Sequence, residues 1–246
     1  MPILNSLKDK NGSIIPRREE GVSIENFLLH CYHLLMQILA FGDSITWGAW
    51  DLAGGGWADR LKRAAFEYVE RAPKETILEV YNLGIPSERT DNFLKRFPQD
   101  ALPRIETPKE NVFLFGFGAN DCAFIPSKKE FQCSPEQFEK NYRKILQEAK
   151  VLAKRIYLLT ITPINEAMCV QTDEARKNEF VEKYNALLQR LALEEGVSTI
   201  DIFDAFIKKG ISSLLIEDGH HPNTAGHELI FSLVKETLWK DLGMEK

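Results

Sequence analysis

The sequence predicts an α/β protein of three layers, a parallel sheet covered on both faces by helices. Three observations carry that reading. Short apolar runs alternate with stretches of helical period from residue 36 to residue 240, and strict alternation of strands and helices implies right-handed crossovers between parallel strands. The run Asn111-Val112-Phe113-Leu114-Phe115-Gly116-Phe117-Gly118 is apolar at nearly every position, as a central parallel strand buried on both faces must be. With 246 residues, 44% of them hydrophobic, the chain is long enough to close one large core.

Taken in order, residues 1–22 are polar and without period, with Lys8-Asp9-Lys10-Asn11-Gly12 and Arg17-Arg18-Glu19-Glu20, and read as a loose or appended segment. Residues 23–35 have the pattern of a short helix. Met36 stands directly before the first strand, Gln37-Ile38-Leu39-Ala40-Phe41, so residues 1–35 are expected to be dispensable and 36–246 to form the domain. That strand stops abruptly in Gly42-Asp43-Ser44. Ala53-Gly54-Gly55-Gly56 reads as a flexible loop, and Trp57, Leu61, Ala64 and Tyr68 mark a helix closed by Arg71-Ala72-Pro73. A second strand covers Ile77–Gly84, and Ser87-Glu88-Arg89-Thr90 starts a helix through Phe93, Leu94 and Phe97. After the third strand, Ser134-Pro135-Glu136-Gln137 supplies the cap, N1 proline and N3 glutamine of a helix with Phe138, Tyr142, Ile145, Ala149 and Leu152 on one stripe. Arg155–Pro163 is the fourth strand, followed by a long helix around Phe180, Tyr184, Leu187 and Leu191. Val197–Asp201 is a short fifth strand, and the last helix carries Leu229, Ile230, Leu233, Val234 and Leu238.

A formal charge of −5 and a pI near 5.7 leave no basic excess, which argues against nucleic acid as a partner. The four cysteines, Cys31, Cys122, Cys133 and Cys169, have no metal-ligand spacing. They read as thiols of a reducing compartment, with a Cys122–Cys133 bridge across a loop as the alternative. The apolar run Phe27–Leu35 carries two histidines and is too short to span a bilayer as a helix. It also lacks the placement and small-residue end of a signal peptide. The expectation is a cytoplasmic protein without stable membrane insertion. The sequence carries no signal for an oligomeric state.

Four polar clusters fall at strand ends or in the last loop: Asp43-Ser44, Asn82-x-Gly84, Gly118-Ala119-Asn120-Asp121 and Asp218-x-x-His221. In an open parallel sheet all would face one rim, where ligands bind. A serine is a poor nucleophile near neutral pH unless a base lies in reach and a third group orients that base. Asp218 and His221 supply both, with a spacing that lets the carboxylate accept from the near ring nitrogen and leaves the far one for Ser44. Acyl transfer also develops a negative oxygen. The Ser44 N–H, the Gly84 N–H and the Asn120 side-chain amide are the donors available to it.

With Gly42-Asp43-Ser44, Gly84, Gly118-x-Asn120-Asp121 and Asp218-x-x-His221-Pro222 in that order, the chain resembles the SGNH or GDSL hydrolase superfamily of esterases and lipases over roughly residues 36–240. The resemblance implies a flavodoxin-like fold with sheet order 2-1-3-4-5. It implies a Ser44-His221-Asp218 triad, an oxyanion hole of Ser44, Gly84 and Asn120, and a small-molecule acyl ester as substrate, with no metal or organic cofactor. Two positions depart from the pattern: Ile45 replaces the leucine of the family's name, and Ser87 stands where many members have a second glycine. The G-x-S-x-G elbow of α/β-hydrolases is absent around Ser44.

Each motif also has a second reading. Asp43 and Ser44 could merely cap a helix. The three adjacent glycines lack the lysine of a phosphate loop. His220, His221 and His227 could be metal ligands, but Pro222 and Gly226 oppose the helix that their spacing needs, and no cysteine or carboxylate set completes a tetrahedral site. Asp121 reads as a structural carboxylate. Trp47, Trp50 and Trp57 either line an acyl pocket or pack in the core. The alternative to an esterase is a catalytically idle module on the same fold that binds a carbohydrate or acylated ligand.

Overall fold

The computed structural model describes residues 35–73, 76–106, 109–169 and 173–244 in full. Before residue 35 it describes only the backbone of two-residue strands, Leu7–Lys8 and Ile14–Ile15, paired antiparallel. The short helix expected over 23–35 lies otherwise outside the described residues. The chain divides into two compact units, residues 1–34 and 35–246.

The second unit is built on five parallel strands: β1 Leu35–Gly42, β2 Ile77–Gly84, β3 Glu110–Gly116, β4 Arg155–Leu159 and β5 Ser198–Ile200. They stand in the order β2-β1-β3-β4-β5, the 2-1-3-4-5 pattern expected. The most apolar strands, β1 and β3, are central and buried on both faces. Seven α-helices connect or flank them: α1 Ser44–Trp47, α2 Trp57–Arg71, α3 Thr90–Ala101, α4 Pro135–Leu152, α5 Asn178–Glu195, α6 Ile202–Lys209 and α7 Thr224–Asp241.

The two-residue periodicity of the strands sorts the core. Leu39, Phe41, Phe113 and Phe115 point to one face, where they join Phe93 and Phe97 of α3, Phe138 and Tyr142 of α4, and Tyr184 and Leu188 of α5. Phe41 alone meets Phe93, Phe97, Phe113 and Phe115 with ring centroids 5.2–5.5 Å apart. Tilted and edge-on aromatic pairs at such distances add to the burial free energy. On the other side α2 packs against β2 and α7, burying Trp57, Leu61, Ile230, Val234 and Leu238.

Several helix ends follow the sequence closely. Ser134 Oγ accepts from the Gln137 N–H at 3.2 Å and Pro135 takes N1, while the Gln137 side chain reaches forward to Asn141 Oδ1 at 2.7 Å. Other boundaries differ. β3 stops at Gly116 and β4 at Leu159, because the buried chain continues past the last ladder pairing into the rim. α6 follows β5 without a loop and was hidden in the strand pattern. α3 starts only at Thr90, since Ser87 adopts a left-handed φ of 61°. A short hairpin, Phe124–Ile125 with Glu130–Phe131, interrupts the loop after β3.

Cys122 and Cys133 are buried free thiols, so the alternative of a bridge between them does not hold. Burial pushes both up to about 12.

Candidate functional site

The site forms where β1, β2 and β3 end. α1 lies across those ends so closely that a Cβ on Gly84 would sit 2.2 Å from the Trp47 backbone nitrogen, and one on Gly42 2.0 Å from Thr46 Oγ1. Only glycine at these strand ends lets the turn carrying Ser44 press onto the sheet. Asp43 caps that turn by accepting from the Ile45 N–H at 2.9 Å. The cap reading of Asp43 is therefore correct, and it leaves Ser44 as the first helical residue, facing the rim.

The loop before α7 brings its residues to the same place. Asp218 Oδ1 accepts from the backbone N–H groups of His220 at 2.9 Å and His221 at 3.0 Å, which holds the turn. Its Oδ2 lies 2.6 Å from His221 Nδ1, and His221 Nε2 lies 2.9 Å from Ser44 Oγ. Burial disfavours the Asp218 carboxylate, but the His221 ring and the two backbone donors outweigh it and hold the group well below the usual carboxylate range.

Of the three candidate oxyanion donors, Ser44 and Asn120 line one cleft, and Gly84 ends β2 against the Trp47 backbone. The Gly84 N–H donates to Asn82 Oδ1 at 3.1 Å, and Asn82 in turn donates to Asp59 Oδ2 at 2.9 Å. The Asn120 amide donates to the Glu88 carbonyl at 3.0 Å and approaches Asp43 Oδ2 at 3.5 Å. Both groups are thus oriented by second partners. Asp43 itself is fully enclosed beside a cavity of about 30 Å³ lined mostly by apolar side chains, among them Trp57, Leu159 and Ile230. Burial there pushes its carboxyl up to about 7.

A cleft of about 550 Å³ opens over Ser44 and His221, walled by Trp47, Trp50, Pro86, Asn120, Arg176 and His220 among others. Trp47 and Trp50 are 56% and 57% exposed, whereas Trp57 is buried in the core, so the three tryptophans divide between the two readings. Trp50 is held at a left-handed φ of 68°, a strained conformation for a bulky residue. Asp51 sets the lip beyond it, accepting from the N–H groups of Ala53, Gly54 and Gly56 and from Arg60. Those donors are already engaged, so the glycine loop is neither a phosphate cradle nor a slack connection.

His227 is not part of a three-histidine cluster. It is completely buried, with both ring nitrogens used by Ala49 and Trp57. A carboxylate does accompany the other two histidines: Asp218, His220 and His221 offer ligand atoms within 4.8 Å of one another, which the sequence reading did not see. His220 packs on His221 with ring centroids 4.2 Å apart. Burial, with the positive charge of Arg176, lowers it to about 4. Asp121 accepts from the Thr90 N–H at 3.0 Å and from its hydroxyl at 2.5 Å, tying the loop after β3 to the start of α3. Burial raises it to about 6.

Arg176 is a cleft residue that sequence reasoning missed, and His220 is one that it considered only as a metal ligand. Arg176 donates to the Ala119 carbonyl and pairs with Glu174, a placement made by a loop with no local signal. The position of His220 between Asp218 and His221 was signal enough to place it in the cleft as well.

A model of the GDSL-like lipase/acylhydrolase family matches residues 40–229. None of the curated proteins matches the sequence. Solved structures do resemble the fold. The acetylxylan esterase Axe2 of Geobacillus stearothermophilus is 19% identical, with a TM-score of 0.64 over 83% of this chain and 94% of that one. LAE5, an alpha/beta hydrolase enzyme from the metagenome of Lake Arreo, is 21% identical, with a TM-score of 0.65 over 83% and 95%. A member of the lipolytic protein G-D-S-L family from Veillonella parvula is 20% identical, with a TM-score of 0.61 over 82% and 97%. Among the described residues no helix is long and apolar enough to cross a membrane.

Proposed function

Because the chain belongs to the GDSL-like lipase/acylhydrolase family, whose members hydrolyse carboxylic esters, we propose that it is a serine esterase working through an acyl-serine intermediate. The observation that carries this is the continuous relay from Ser44 Oγ to His221 Nε2 and from His221 Nδ1 to Asp218, at 2.9 and 2.6 Å. Ser44 Oγ attacks the acyl carbonyl carbon while His221 Nε2 takes its proton. The carbonyl oxygen becomes negative beside the Ser44 N–H, the Gly84 N–H and the Asn120 amide. The carbon–oxygen bond to the alcohol then breaks as His221 returns the proton to the leaving oxygen. Water, deprotonated by the same ring, attacks the acyl-serine and releases the acid. Asp218, kept ionised, orients the ring and balances its transient positive charge.

In this reading the Gly84 and Asn120 donors turn from Asn82 and Glu88 toward the oxyanion, or share their hydrogens with it. The acyl group is small or medium. The exposed faces of Trp47 and Trp50 suit stacking on a sugar ring, and Axe2 is named for acetylxylan, so acetylated sugars are the first natural esters to try. The full set of Ser44, Asp218, His221 and Asn120 counts against an idle binding module. The free thiols of Cys122, Cys133 and Cys169 support a reducing, cytoplasmic setting.

The test is hydrolysis of p-nitrophenyl acetate and butyrate by the wild type and by Ser44→Ala. Turnover lost in the variant is expected. No turnover in either protein, or equal turnover in both, overturns the proposal.

A further inference from the structure

We propose that Asp218, His220 and His221 together form a binding site for a divalent transition-metal ion of the zinc type, and that its binding switches off hydrolysis. The inhibitory half rests on the esterase reading above; the binding half does not. His221 Nδ1 is 2.6 Å from Asp218 Oδ2, while His220 Nδ1 is 3.5 Å from Asp218 Oδ1 and 3.3 Å from the Asp218 backbone carbonyl, a contact it gives up to face an ion. Two imidazoles and a carboxylate are a ligand set that Zn²⁺ accepts, with a fourth position left for water. Metal–ligand bonds of about 2.0–2.1 Å around a tetrahedral centre set ligand atoms roughly 3.3 Å apart. The His220–Asp218 pair already has that spacing. The His221–Asp218 pair must open by about 0.7 Å to reach it, and there the ion takes the place of the shared proton. All three residues are only partly buried, and His220 and His221 line a cleft through which an ion can enter.

The inhibition follows from the electrons of the ring. A neutral imidazole has one in-plane lone pair and one N–H. With the ion on His221 Nδ1, the ring proton moves to Nε2, and no proton is lost overall. His221 then donates to Ser44 Oγ and has no lone pair to receive the serine's proton. The base is removed while the cleft stays open, so kcat falls and KM is retained. His220 is what makes the site, because His221 and Asp218 alone offer two ligands.

The test has two readouts on the full chain. Zn²⁺ is titrated into the hydrolysis assay, and Co²⁺ is titrated into Ser44→Ala and followed by visible absorption. Expected are a fall in kcat at constant KM, recovery with EDTA, and a saturable cobalt spectrum. His220→Phe and His220→Asn, checked for folding by circular dichroism and referred to their own metal-free rates, should weaken both effects by about 10²-fold. Cys169 donates its thiol to the Asp218 carbonyl at 3.2 Å and is the rival metal ligand; Cys169→Ser should change neither effect. Absence of saturable Co²⁺ binding, equal binding in the His220 variants, or loss on Cys169→Ser overturns the proposal. Cobalt binding that depends on His220 in a chain without ester hydrolysis upholds the site and refutes the esterase reading instead.

Discussion

Trp57 opens α2 by donating its backbone N–H to Nδ1 of His227, 3.3 Å away in α7, and the other nitrogen of that buried ring lies 2.9 Å from the Ala49 carbonyl. The partners determine the tautomer. A carbonyl only accepts, so Nε2 carries the hydrogen, and Nδ1 is free to accept from Trp57. One ring therefore clasps both ends of the lip that bears Trp50 and Asp51, and it must be neutral to do so. His227→Ala should cost about 2–5 kcal/mol, from a cavity and two unpaired backbone groups, and raise KM more than it lowers kcat. Urea unfolding and steady-state kinetics check both.

The clasp has a pH sign. Burial lowers His227 below its ordinary value, so its contribution to stability is complete above the unfolded pKa of about 6.5 and is lost as pH falls through the lower folded value. The wild type should lose stability on mild acidification, and His227→Gln should lose less over the same range. Equal slopes in the two proteins would count against the clasp.

Asp43 has the opposite sign. Its carboxyl is raised from 3.8 to about 7 by burial, so the stability it contributes is complete below pH 3.8 and is lost as pH rises through about 7. Asp43→Asn keeps an oxygen for the Ile45 N–H and removes the titration. Denaturant midpoints between pH 5 and 8 should fall less steeply with rising pH in the variant.

Among the groups proposed for catalysis, Asp218→Asn should lower kcat by about 10⁴-fold, as loss of the orienting carboxylate does in serine proteases. Asn120→Ala should lower it by about 10²–10³-fold with little change in KM, as expected for an oxyanion donor. A change confined to KM would assign Asn120 to substrate binding.

A chain starting at Met36 should keep the wild-type melting temperature and specific activity. The first buried residue of β1 is Met36, and Leu35 adds only one outer pairing, with Ile77. Loss of folding or of activity would make residues 1–35 part of the working protein.

The strands and the long helices were legible because each apolar run is continuous and bounded by turn residues, whereas the sheet order followed only from the family resemblance. Ser44, Gly84, Asn120, Asp218 and His221 were legible for a related reason, since Gly84 ends β2, Ser44 and Asn120 lie in the turns after β1 and β3, and Asp218 and His221 lie in the loop before the last helix. His220 was considered only as a metal ligand and not as a wall of the cleft, and Arg176 has no pattern around it. Neither the pairing of Asp51 with the glycine loop nor the left-handed turn at Ser87 has a signal in residue type alone.

The order of apolar and polar residues determined by itself that parallel strands would deliver one serine, one histidine and their candidate partners to a single rim, because a strand's end is also the end of its hydrophobic run. Only the tertiary structure decided which tryptophans face the cleft and which carboxylate meets which ring. It also decided that His227 clasps a lip and belongs to no histidine cluster. Those outcomes depend on loops packing against one another across 170 or more residues, as with Trp57 and His227 or Ser44 and His221. No local propensity reports a contact of that range.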